Sequence, residues 1–405
     1  MALHLFEAFG VELEYMIVRE DDLSVCPVAD RLIFEACGSF ANEVERGKIA
    51  WSNELVLHVL ELKCNGPSPT LDSLPALFHE QIQDLNRRLR SFGAKLLPTG
   101  AHPFMNPETD TLLWPHGNQE IYQAYHRIFN CRGHGWSNLQ STHLNLPFGN
   151  DEEFGHLHAA IRLLLPILPA LSASTPILDG KPKGFLDSRL EVYRHNQKNI
   201  PSISGKIIPE RVFTKRDYVD KILKRMYQDI APLDPENILQ DEWLNSRGAI
   251  ARFDRDAIEI RVLDTQECPA ADVAILQAVV NTLKTLISET WISYPLQKEW
   301  EEDRLQAIFF GSVKDGGNFV VSDAEYLKIF KAPFRSPCTV MELWSHILGH
   351  VFPAGIPSPV KNILQHGSLS ERILRALGPT FSKKDLVTLY HVLASSLENN
   401  RPFIP

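Results

Sequence analysis

Two glutamates, Glu12 and Glu14, lie two residues apart in an apolar segment close to the N-terminus. Because alternate residues of a β-strand share a face, both carboxylates would point to one side and Val11 and Leu13 to the other. Adjacent carboxylates repel each other unless water or cations neutralise them. The segment by itself favours a sheet with one hydrated face, and the sharper alternative is one wall of a divalent-metal site.

Composition narrows the class of protein. The 405 residues are 44% hydrophobic and 22% charged, which is enough apolar material for a large core. The net charge of -9 argues against general binding of nucleic acid or membrane surfaces. The six cysteines are scattered, none has a metal-ligand spacing, and no signal-peptide pattern is present. We therefore expect a cytoplasmic protein with free thiols and without nucleic acid or membrane as a partner.

Hydrophobic spacing predicts the order of the secondary-structure elements. Strands are predicted at residues 3–19, 51–64, 94–99 and 136–148, followed by a hairpin at residues 247–264 that turns near Asp254. Helices are predicted at residues 29–46, 70–92, 118–129, 154–174 and 214–229, and residues 182–209 are predicted to form a long ordered loop or flap. The last third is mostly helical, with helices predicted at residues 270–295, 340–351, 359–376 and 384–397.

Glu54 and Glu61 fall in the strand predicted at residues 51–64. Glu61 ends an otherwise apolar strand face, where a carboxylate is costly to bury unless it is paired or ligated. The two glutamates are seven residues apart, an odd spacing that places them on opposite faces of a regular strand. Either Glu54 therefore precedes the strand, or a bulge intervenes.

Two further predicted strands carry polar residues of unusual type. His143 shares a strand face with Ser141 and Asn145, where a single histidine is more often a hydrogen-bonded structural residue than a ligand. In the predicted hairpin, Glu259 and Arg261 share one strand face and are the second group of unusual polar residues. They would form either a surface ion pair of little energetic value or a metal carboxylate beside a phosphate-binding guanidinium.

Several carboxylates and one imidazole on separate strands suit two or three Mg²⁺ or Mn²⁺ ions, since hard cations take oxygen ligands. Zinc would more often recruit cysteine or several closely spaced histidines. Such cations beside an arginine are typical of sites that handle nucleotide phosphates. The sequence has no Walker A motif and no GxGxxG after a strand, so bound ATP would depend on cations for its phosphates. The candidate ligands are Glu12, Glu14, Glu54, Glu61, His143 and Glu259.

With these residues in place, the chain resembles the glutamate–cysteine ligase family, and most closely its bacterial carboxylate–amine ligase branch, which shares the glutamine synthetase fold. The motifs occur in the same order as in the family over the first two-thirds of the chain. Together they are more specific for the family than any one motif is. The matching pieces are Gly10-Val11-Glu12-Leu13-Glu14, residues 54–61 with Asn65-Gly66-Pro67, Gly100-Ala101-His102-Pro103-Phe104, the strand around His143, Leu171-Ser172-Ala173-Ser174-Thr175-Pro176 followed by Gly180, and Glu259-Ile260-Arg261-Val262-Leu263-Asp264.

The resemblance implies an α+β fold: a glutamine synthetase-like curved, mainly antiparallel sheet flanked by helices, with a helical C-terminal third. Residues 1–268 would form the catalytic core, with residues 269–405 packed on it. The implied enzyme is an ATP- and Mg²⁺-dependent carboxylate–amine ligase. It would convert an amino-acid carboxylate, typically the γ-carboxylate of glutamate, into an acyl phosphate and join it to an amine as an amide. Its partners would be small-molecule substrates, and a homo-oligomer is left open.

The resemblance also implies roles for individual residues. The six candidate ligands match metal positions of the family, and Arg261 matches an arginine that contacts phosphate. We assign catalysis to Arg261 and Glu259. Nucleotide binding is assigned to Arg261, Arg252, His143 and Asn145, and substrate binding to Arg189, Arg194 and Arg247.

The sequence departs from the family branch at two places. His143-Leu144-Asn145 replaces a frequent His-x-His pair, and residues 245–248 lack the common tryptophan–arginine–proline pattern. Two alternatives therefore stay open. One is a guanidino kinase-like phosphotransferase on the same fold, and the other is a homologue that binds nucleotide without turnover.

Overall fold

A computed structural model of the protein describes residues 3–333 and 337–405. The strands within these residues are β1 (Gly10–Arg19), β2 (Glu43–Arg46), β3 (Ile49–Asn53), β4 (Val59–Cys64), β5 (Ala94–Leu97), β6 (Ser141–Pro147), β7 (Ile177–Leu178), β8 (Lys181–Pro182), β9 (Ala249–Arg252), β10 (Ala257–Asp264), β11 (Val320–Val321) and β12 (Cys338–Thr339).

The α-helices are α1 (Ala29–Cys37), α2 (Leu74–Leu89), α3 (Pro107–Asp110), α4 (Gln119–Phe129), α5 (His134–Ser137), α6 (Asp151–Leu164), α7 (Pro169–Ser172), α8 (Ser188–Tyr193), α9 (Lys215–Tyr218), α10 (Lys224–Ile230), α11 (Pro269–Ile287), α12 (Tyr294–Gln297), α13 (Glu302–Asp315), α14 (Ala324–Ile329), α15 (Val340–Val351), α16 (Ser358–His366), α17 (Leu369–Leu377) and α18 (Lys383–Glu398). Short 3₁₀ turns lie at Arg90–Phe92, Leu165–Ile167, Glu242–Leu244 and Gly316–Asn318, and a π-helical turn lies at Val219–Leu223.

One large antiparallel sheet organises the described residues. Its strand order is β2-β3-β4-β1-β6-β10-β9, and β5 pairs with the C-terminal end of β1. Strand β1 is the centre of this arrangement, because it pairs with β4, β5 and β6. The predicted fold class, an α+β fold with a mainly antiparallel sheet flanked by helices, is confirmed.

The two faces of β1 have different environments. Val11, Leu13 and Tyr15 are fully buried in the main core, where helices α2, α6 and α11 cover the sheet. Burying an aliphatic side chain such as Val11 or Leu13 stabilises the fold by about 1.5–3 kcal/mol. Glu12 and Glu14 point to the opposite face, which we call the site face.

The site face becomes apolar towards the C-terminal end of β1. Met16 and Val18 continue the alternation of Glu12 and Glu14, and they pack in a second apolar cluster with Leu386 and Tyr390 of α18. The C-terminal helices therefore cover one end of the site face. The other end, around the two glutamates, carries the polar residues.

Several predicted boundaries are wrong, and local geometry explains them. The helix predicted at residues 29–46 ends at Cys37, because Gly38 adopts a left-handed conformation with φ of 78° and caps it, and residues 43–46 form β2. The strand predicted at residues 51–64 is a hairpin of β3 and β4, so Leu55 and Leu57 lie in its connection. The helix predicted at residues 359–376 is interrupted at Gly367, between α16 and α17.

Other predictions are confirmed. The helix predicted at residues 154–174 bends where expected, since α6 gives way to a 3₁₀ turn containing Pro166 and then to α7, which starts at Pro169. The hairpin turns between β9 and β10 at residues 253–256. The predicted flap at residues 182–209 contains α8.

The predicted domain boundary falls at Cys268, the residue before α11, and the division into two portions stays a prediction.

Within the described residues, α11 is the one helix long and apolar enough, by length and composition, to cross a membrane. Its most apolar window has a mean hydropathy of 1.4, and 67% of that window is buried inside the protein. The helix packs against α2, α6, α15 and α16. A buried core helix meets the same length and composition criteria, so this feature is weak evidence for a membrane span.

His158 on α6 provides a test of the packing. Its ring is fully buried among Phe154, Phe213 and Tyr218, and burial, followed by the charge of Arg162, lowers its pKa to about 3. The unfolded chain binds a proton here below about pH 6.5, so this residue makes stability fall as pH decreases from about 6.5 to 3. We expect His158→Phe to flatten that dependence by about 1.4 kcal/mol per pH unit in urea unfolding. An unchanged slope would contradict this account.

Candidate active site

The register of the sheet brings the predicted ligands together on the site face. Glu14 of β1 lies opposite Glu61 of β4, and Glu12 lies opposite His143 of β6. On the next strand pair, Glu259 of β10 lies opposite Asn145. Opposed residues of an antiparallel pair project to the same side, so these side chains converge on the site face.

Two groups of side chains have the spacing of a metal site. In the first, Glu12, His143 and Glu259 offer ligand atoms that all lie within 4.8 Å of one another, and in the second Glu14, Glu61 and His143 do so. His143 connects the groups, because Nδ1 lies 2.8 Å from Glu12 Oε2 and 3.6 Å from Glu259 Oε1, and Nε2 lies 3.8 Å from Glu14 Oε1. A pair of cation positions that share one imidazole is compatible with this arrangement.

Glu54 lies beside these groups and belongs to neither of them. It follows β3 directly, two residues after Ser52, whose hydroxyl donates a hydrogen bond of 2.6 Å to Glu61 Oε1. This placement explains the odd spacing of Glu54 and Glu61 without a bulge, since the two residues are on different arms of a hairpin. Glu54 lines the same cavity as Glu14 and His143.

The pKa values of the clustered side chains depend on burial and on one another's charges. Burial opposes ionisation of Glu12, but the hydrogen bond and charge of His143 lower its pKa to about 2. Burial likewise disfavours the charged form of His143, while Glu12 and then Glu14 raise its pKa to about 9. Burial, followed by the charge of Glu12, raises the pKa of Glu61 to about 8, and burial with Glu14 and Glu61 holds the pKa of Glu54 well above its ordinary value. Burial and the neighbouring carboxylates therefore oppose ionisation of Glu54 and Glu61, and a divalent cation would favour their charged forms.

Asn145 gives a second reason to assign a cation to this cluster. Its Nδ2 donates to Glu12 Oε1 at 3.0 Å, whereas its buried Oδ1 has no hydrogen-bond partner among the residues described. An amide oxygen without a donor is a suitable ligand for a hard cation. The donor set of carboxylate, amide and imidazole groups therefore fits Mg²⁺ or Mn²⁺.

Arginines surround the carboxylates. Arg261 Nε lies 2.9 Å from Glu259 Oε1, and its guanidinium lines the cavity next to the cluster. Arg252 Nη1 lies 3.6 Å from Glu259 Oε2, and Arg252 also pairs with Asp254 at 3.1 Å. Glu259 thus orients Arg261 towards the place where a ligand anion would lie.

The cavity above the site face has a volume of about 420 Å³. Its lining includes Glu14, Glu54 and His143, together with Arg189 and Arg261. Five aromatic side chains also line it, and we call them the aromatic wall: Tyr122, Tyr125, Trp136, Tyr193 and Trp243.

The aromatic wall was not predicted from the sequence. The available signal was on α4, where Tyr122 and Tyr125 are three residues apart and therefore share a helix face. Tyr125 packs against Trp136 and Trp243 at ring-centroid distances of 5.2 and 5.8 Å. These three rings come from separate segments, so only the folded structure brings them together.

Two of the three arginines predicted to bind substrate do not line this cavity. Arg247 is 2% exposed, and its Nε and Nη2 each donate to a carboxylate oxygen of Glu210 at 2.6 Å. Arg194 pairs with Glu191 at 2.8 Å and lies over the ring of Phe310. Both guanidinium groups are therefore occupied elsewhere, whereas Arg189 lines the cavity, and its assignment to substrate stays a prediction.

Comparison with known proteins links this geometry to a family. The sequence matches Glutamate-cysteine ligase family 2 (GCS2) over residues 8–308, which include every strand that carries a predicted ligand. An uncharacterized protein from Archaeoglobus fulgidus is 31% identical over 404 residues, which cover 98% of this chain and 100% of that protein.

Two solved structures share the fold. Glutamate–cysteine ligase from Francisella tularensis, in complex with AMP, has a TM-score of 0.64 at 13% identity and covers 98% of this chain and 90% of that one. A bifunctional glutathione synthetase from Pasteurella multocida has a TM-score of 0.52 at 13% identity, covering 98% of this chain and 52% of that one. At this identity the similarity shows a common fold.

The family resemblance inferred from the motifs is confirmed, and so is the predicted class of enzyme, a ligase that forms C–N bonds. The match extends beyond the predicted core boundary at residue 268 and into α13. The chain belongs to glutamate–cysteine ligase family 2.

Proposed function

We propose that this protein is an ATP- and Mg²⁺-dependent carboxylate–amine ligase that activates an amino-acid carboxylate, in the first place the γ-carboxylate of glutamate, and joins it to an amine. One observation carries the proposal. Ligand atoms from strands β1, β4, β6 and β10 converge beside Arg261, and Glu14 and His143 of this cluster line a cavity together with Arg261. If the carboxylates were merely hydrated, a buried histidine such as His143 would not be needed between them.

The cation-binding role is assigned to Glu12, Glu14, Glu61, His143 and Glu259, with Glu54 beside them. When bound, Mg²⁺ or Mn²⁺ supplies positive charge that balances the nucleotide phosphates. Arg261, oriented by Glu259, contributes hydrogen-bond donors to negative charge on the phosphoryl group during transfer. Arg252 and Asn145 are assigned as further polar contacts of the nucleotide.

The reaction has two steps. A carboxylate oxygen of the donor attacks the γ-phosphorus of ATP, and ADP leaves, which gives an acyl phosphate. The amine nitrogen then attacks the acyl carbon and loses a proton, and phosphate leaves as the amide forms. The aromatic wall reduces the access of water, which would otherwise hydrolyse the acyl phosphate. We place this activity in the cytoplasm, in accord with six free cysteines.

Phosphate release from ATP and Mg²⁺ tests the proposal across a panel of amino acids and amines. We expect release that depends on glutamate and on a second amine, together with an amide product detected by mass spectrometry. A stable phosphorylated product would instead indicate a guanidino kinase-like phosphotransferase. Nucleotide binding without release for any pair would contradict the ligase proposal and favour a non-catalytic homologue.

A further inference from the structure

The aromatic wall has more accessible ring surface than the exclusion of water requires. All five of its side chains are half-buried, and all five line the same cavity. Large aromatic side chains that serve the core, such as Trp51, Trp114 and Trp344, are fully buried. Apolar surface that stays accessible inside a concave site is typical of a place that a ligand covers. The wall therefore indicates a ligand with a large apolar part.

The rings hold one another in place before any ligand binds. Tyr125 lies between Trp136 and Trp243, at ring-centroid distances of 5.2 and 5.8 Å, and the planes are inclined by 49° and 56°. Asn196, in the predicted flap, donates a hydrogen bond from Nδ2 to the carbonyl oxygen of Gly135, the residue before Trp136. A surface that is already fixed loses little conformational entropy when a ligand packs on it.

A carboxylate without a partner lies beside the wall. Glu54 lines the cavity together with Tyr122, and within the described residues its carboxylate has neither a hydrogen bond nor an ion pair. Asn53 Nδ2 donates to the Tyr122 hydroxyl at 2.9 Å and to the carbonyl oxygen of Glu54 at 3.1 Å, which fixes this ring next to Glu54. Burial, and then the charge of Glu54, raises the pKa of Tyr122, in agreement with their proximity.

Glu54 is suited to bind a positive group of a ligand. It is predicted as a cation ligand, but neither group of candidate ligands includes it. Glu14 and Glu61 are close enough for their charges to oppose that of Glu54, and an ammonium ion would offset this repulsion. Aromatic faces also attract ammonium ions, and a primary amine is protonated in water at neutral pH. The adenine ring of ATP is neutral and would leave Glu54 unpaired.

We propose that this cavity binds the amine acceptor, with its ammonium group at Glu54 and an aromatic or other large apolar body against the aromatic wall. This assignment rests on the proposed function and deepens it, because it names the class of acceptor. The ligase selects arylalkylamines over small polar acceptors such as cysteine, which would leave most of the ring surface uncovered. Arg261 lines the same cavity, so the acceptor nitrogen is held near the place where phosphate leaves.

Two acceptors that differ only in a phenyl group test this assignment. Phenethylamine and ethylamine present the same primary aliphatic amine, and each is supplied with ATP, Mg²⁺ and glutamate. The readout is the ratio of their kcat/KM values, which cancels a loss of folded enzyme because both amines meet the same sample. We expect the wild type to prefer phenethylamine to ethylamine by at least about tenfold, because the phenyl group is buried against the wall. Cysteine should also be a poorer acceptor than phenethylamine.

Substitutions in the wall should reduce this preference. We expect Trp136→Leu and Tyr125→Leu each to lower the ratio by about two- to tenfold, since each removes one aromatic contact with the phenyl group. Phe40→Leu is the matched control, because Phe40 is 53% exposed and lies outside the cavity lining. It should leave the ratio unchanged.

Glu54→Gln should have a different effect, because both amines carry the ammonium group. We expect kcat/KM to fall by about tenfold or more for phenethylamine and ethylamine alike, with their ratio unchanged. The KM for ATP and the stabilisation of the protein by Mg²⁺ in thermal unfolding should stay as in the wild type. Glu45→Gln, which alters an exposed glutamate of β2, is the control and should leave both kcat/KM values unchanged.

Three results would overturn the proposal. Equal kcat/KM values for the two amines in the wild type, or a ratio that neither wall variant alters, would exclude an apolar acceptor on the wall. A raised KM for ATP in the wall variants, with an unchanged ratio, would assign the wall to adenine. Loss of stabilisation by Mg²⁺ in Glu54→Gln would make Glu54 a cation ligand instead of an ammonium site.

Absence of turnover with every pair of substrates would be a failure of the proposed function, and binding then tests the cavity separately. Calorimetry compares phenethylamine with ethylamine on the wild type, Trp136→Leu and Glu54→Gln. We expect tighter binding of phenethylamine by the wild type, a smaller difference in Trp136→Leu, and weaker binding of both amines in Glu54→Gln. Equal binding of the two amines by the wild type would overturn the proposal.

Discussion

Replacing Glu61 with glutamine is expected to lower ATP-dependent turnover at least about 100-fold and to leave the fold intact. Even partners that only support metal ligands cost 10- to 100-fold when mutated, and Glu61 is assigned as a ligand itself. Glu61 lies opposite Glu14 and is buried among carboxylates, so a neutral side chain also relieves repulsion. We therefore expect a thermal midpoint in EDTA no lower than that of the wild type, with lost stabilisation by Mg²⁺.

Glu43→Gln is the matched control for this substitution. Glu43 pairs with Lys63 at 2.7 Å, and Glu61 lies 3.6 Å from the same ammonium group. Glu43, however, lies on β2 and is largely exposed, outside both groups of candidate ligands. The control should keep wild-type turnover. Full activity of Glu61→Gln would show that the assignment of the cation site is wrong.

Arg261→Lys is expected to lower kcat by about 10²–10³ while the protein remains folded. Lysine keeps the charge but loses the planar pair of donors that Glu259 orients through the contact of 2.9 Å with Nε. The loss should fall on kcat, since the contact is assigned to charge that develops during phosphoryl transfer. Steady-state kinetics at saturating ATP and amino acids measure this effect.

The corresponding control is Arg225→Lys, which alters an exposed arginine paired with Asp229 at 3.0 Å. It should have wild-type kinetics. An Arg261→Lys enzyme with unchanged kcat and raised KM for ATP would restrict Arg261 to ground-state binding of the nucleotide.

The polar face of the sheet could be predicted from the sequence because strand alternation has a period of two. Glu12 and Glu14, and likewise His143 and Asn145, fall on one face for any straight strand. The pairing of Glu14 with Glu61 needed the register, which depends on contacts between distant segments. The family resemblance supplied the arrangement of the distant strands in the fold. The roles that it implies for individual residues stay predictions.

Other features were not predictable because they depend on tertiary partners. Nothing local distinguishes Arg247, which is neutralised by Glu210, from Arg189, whose guanidinium reaches the cavity. The aromatic wall combines rings from α4, α5, α8 and the turn at Glu242–Leu244. In the sequence, these residues cannot be distinguished from ordinary aromatic residues of a hydrophobic core.

Transfer of ¹⁸O from a labelled donor tests most directly the claim that this site activates a carboxylate with ATP. Glutamate labelled in its γ-carboxylate is incubated with ATP, Mg²⁺ and an amine that supports turnover, and the released phosphate is analysed by mass spectrometry. An acyl phosphate predicts one ¹⁸O atom in each phosphate, because the attacking carboxylate oxygen stays bound to phosphorus when the amide forms. Unlabelled phosphate, released alongside an amide product, would contradict the mechanism.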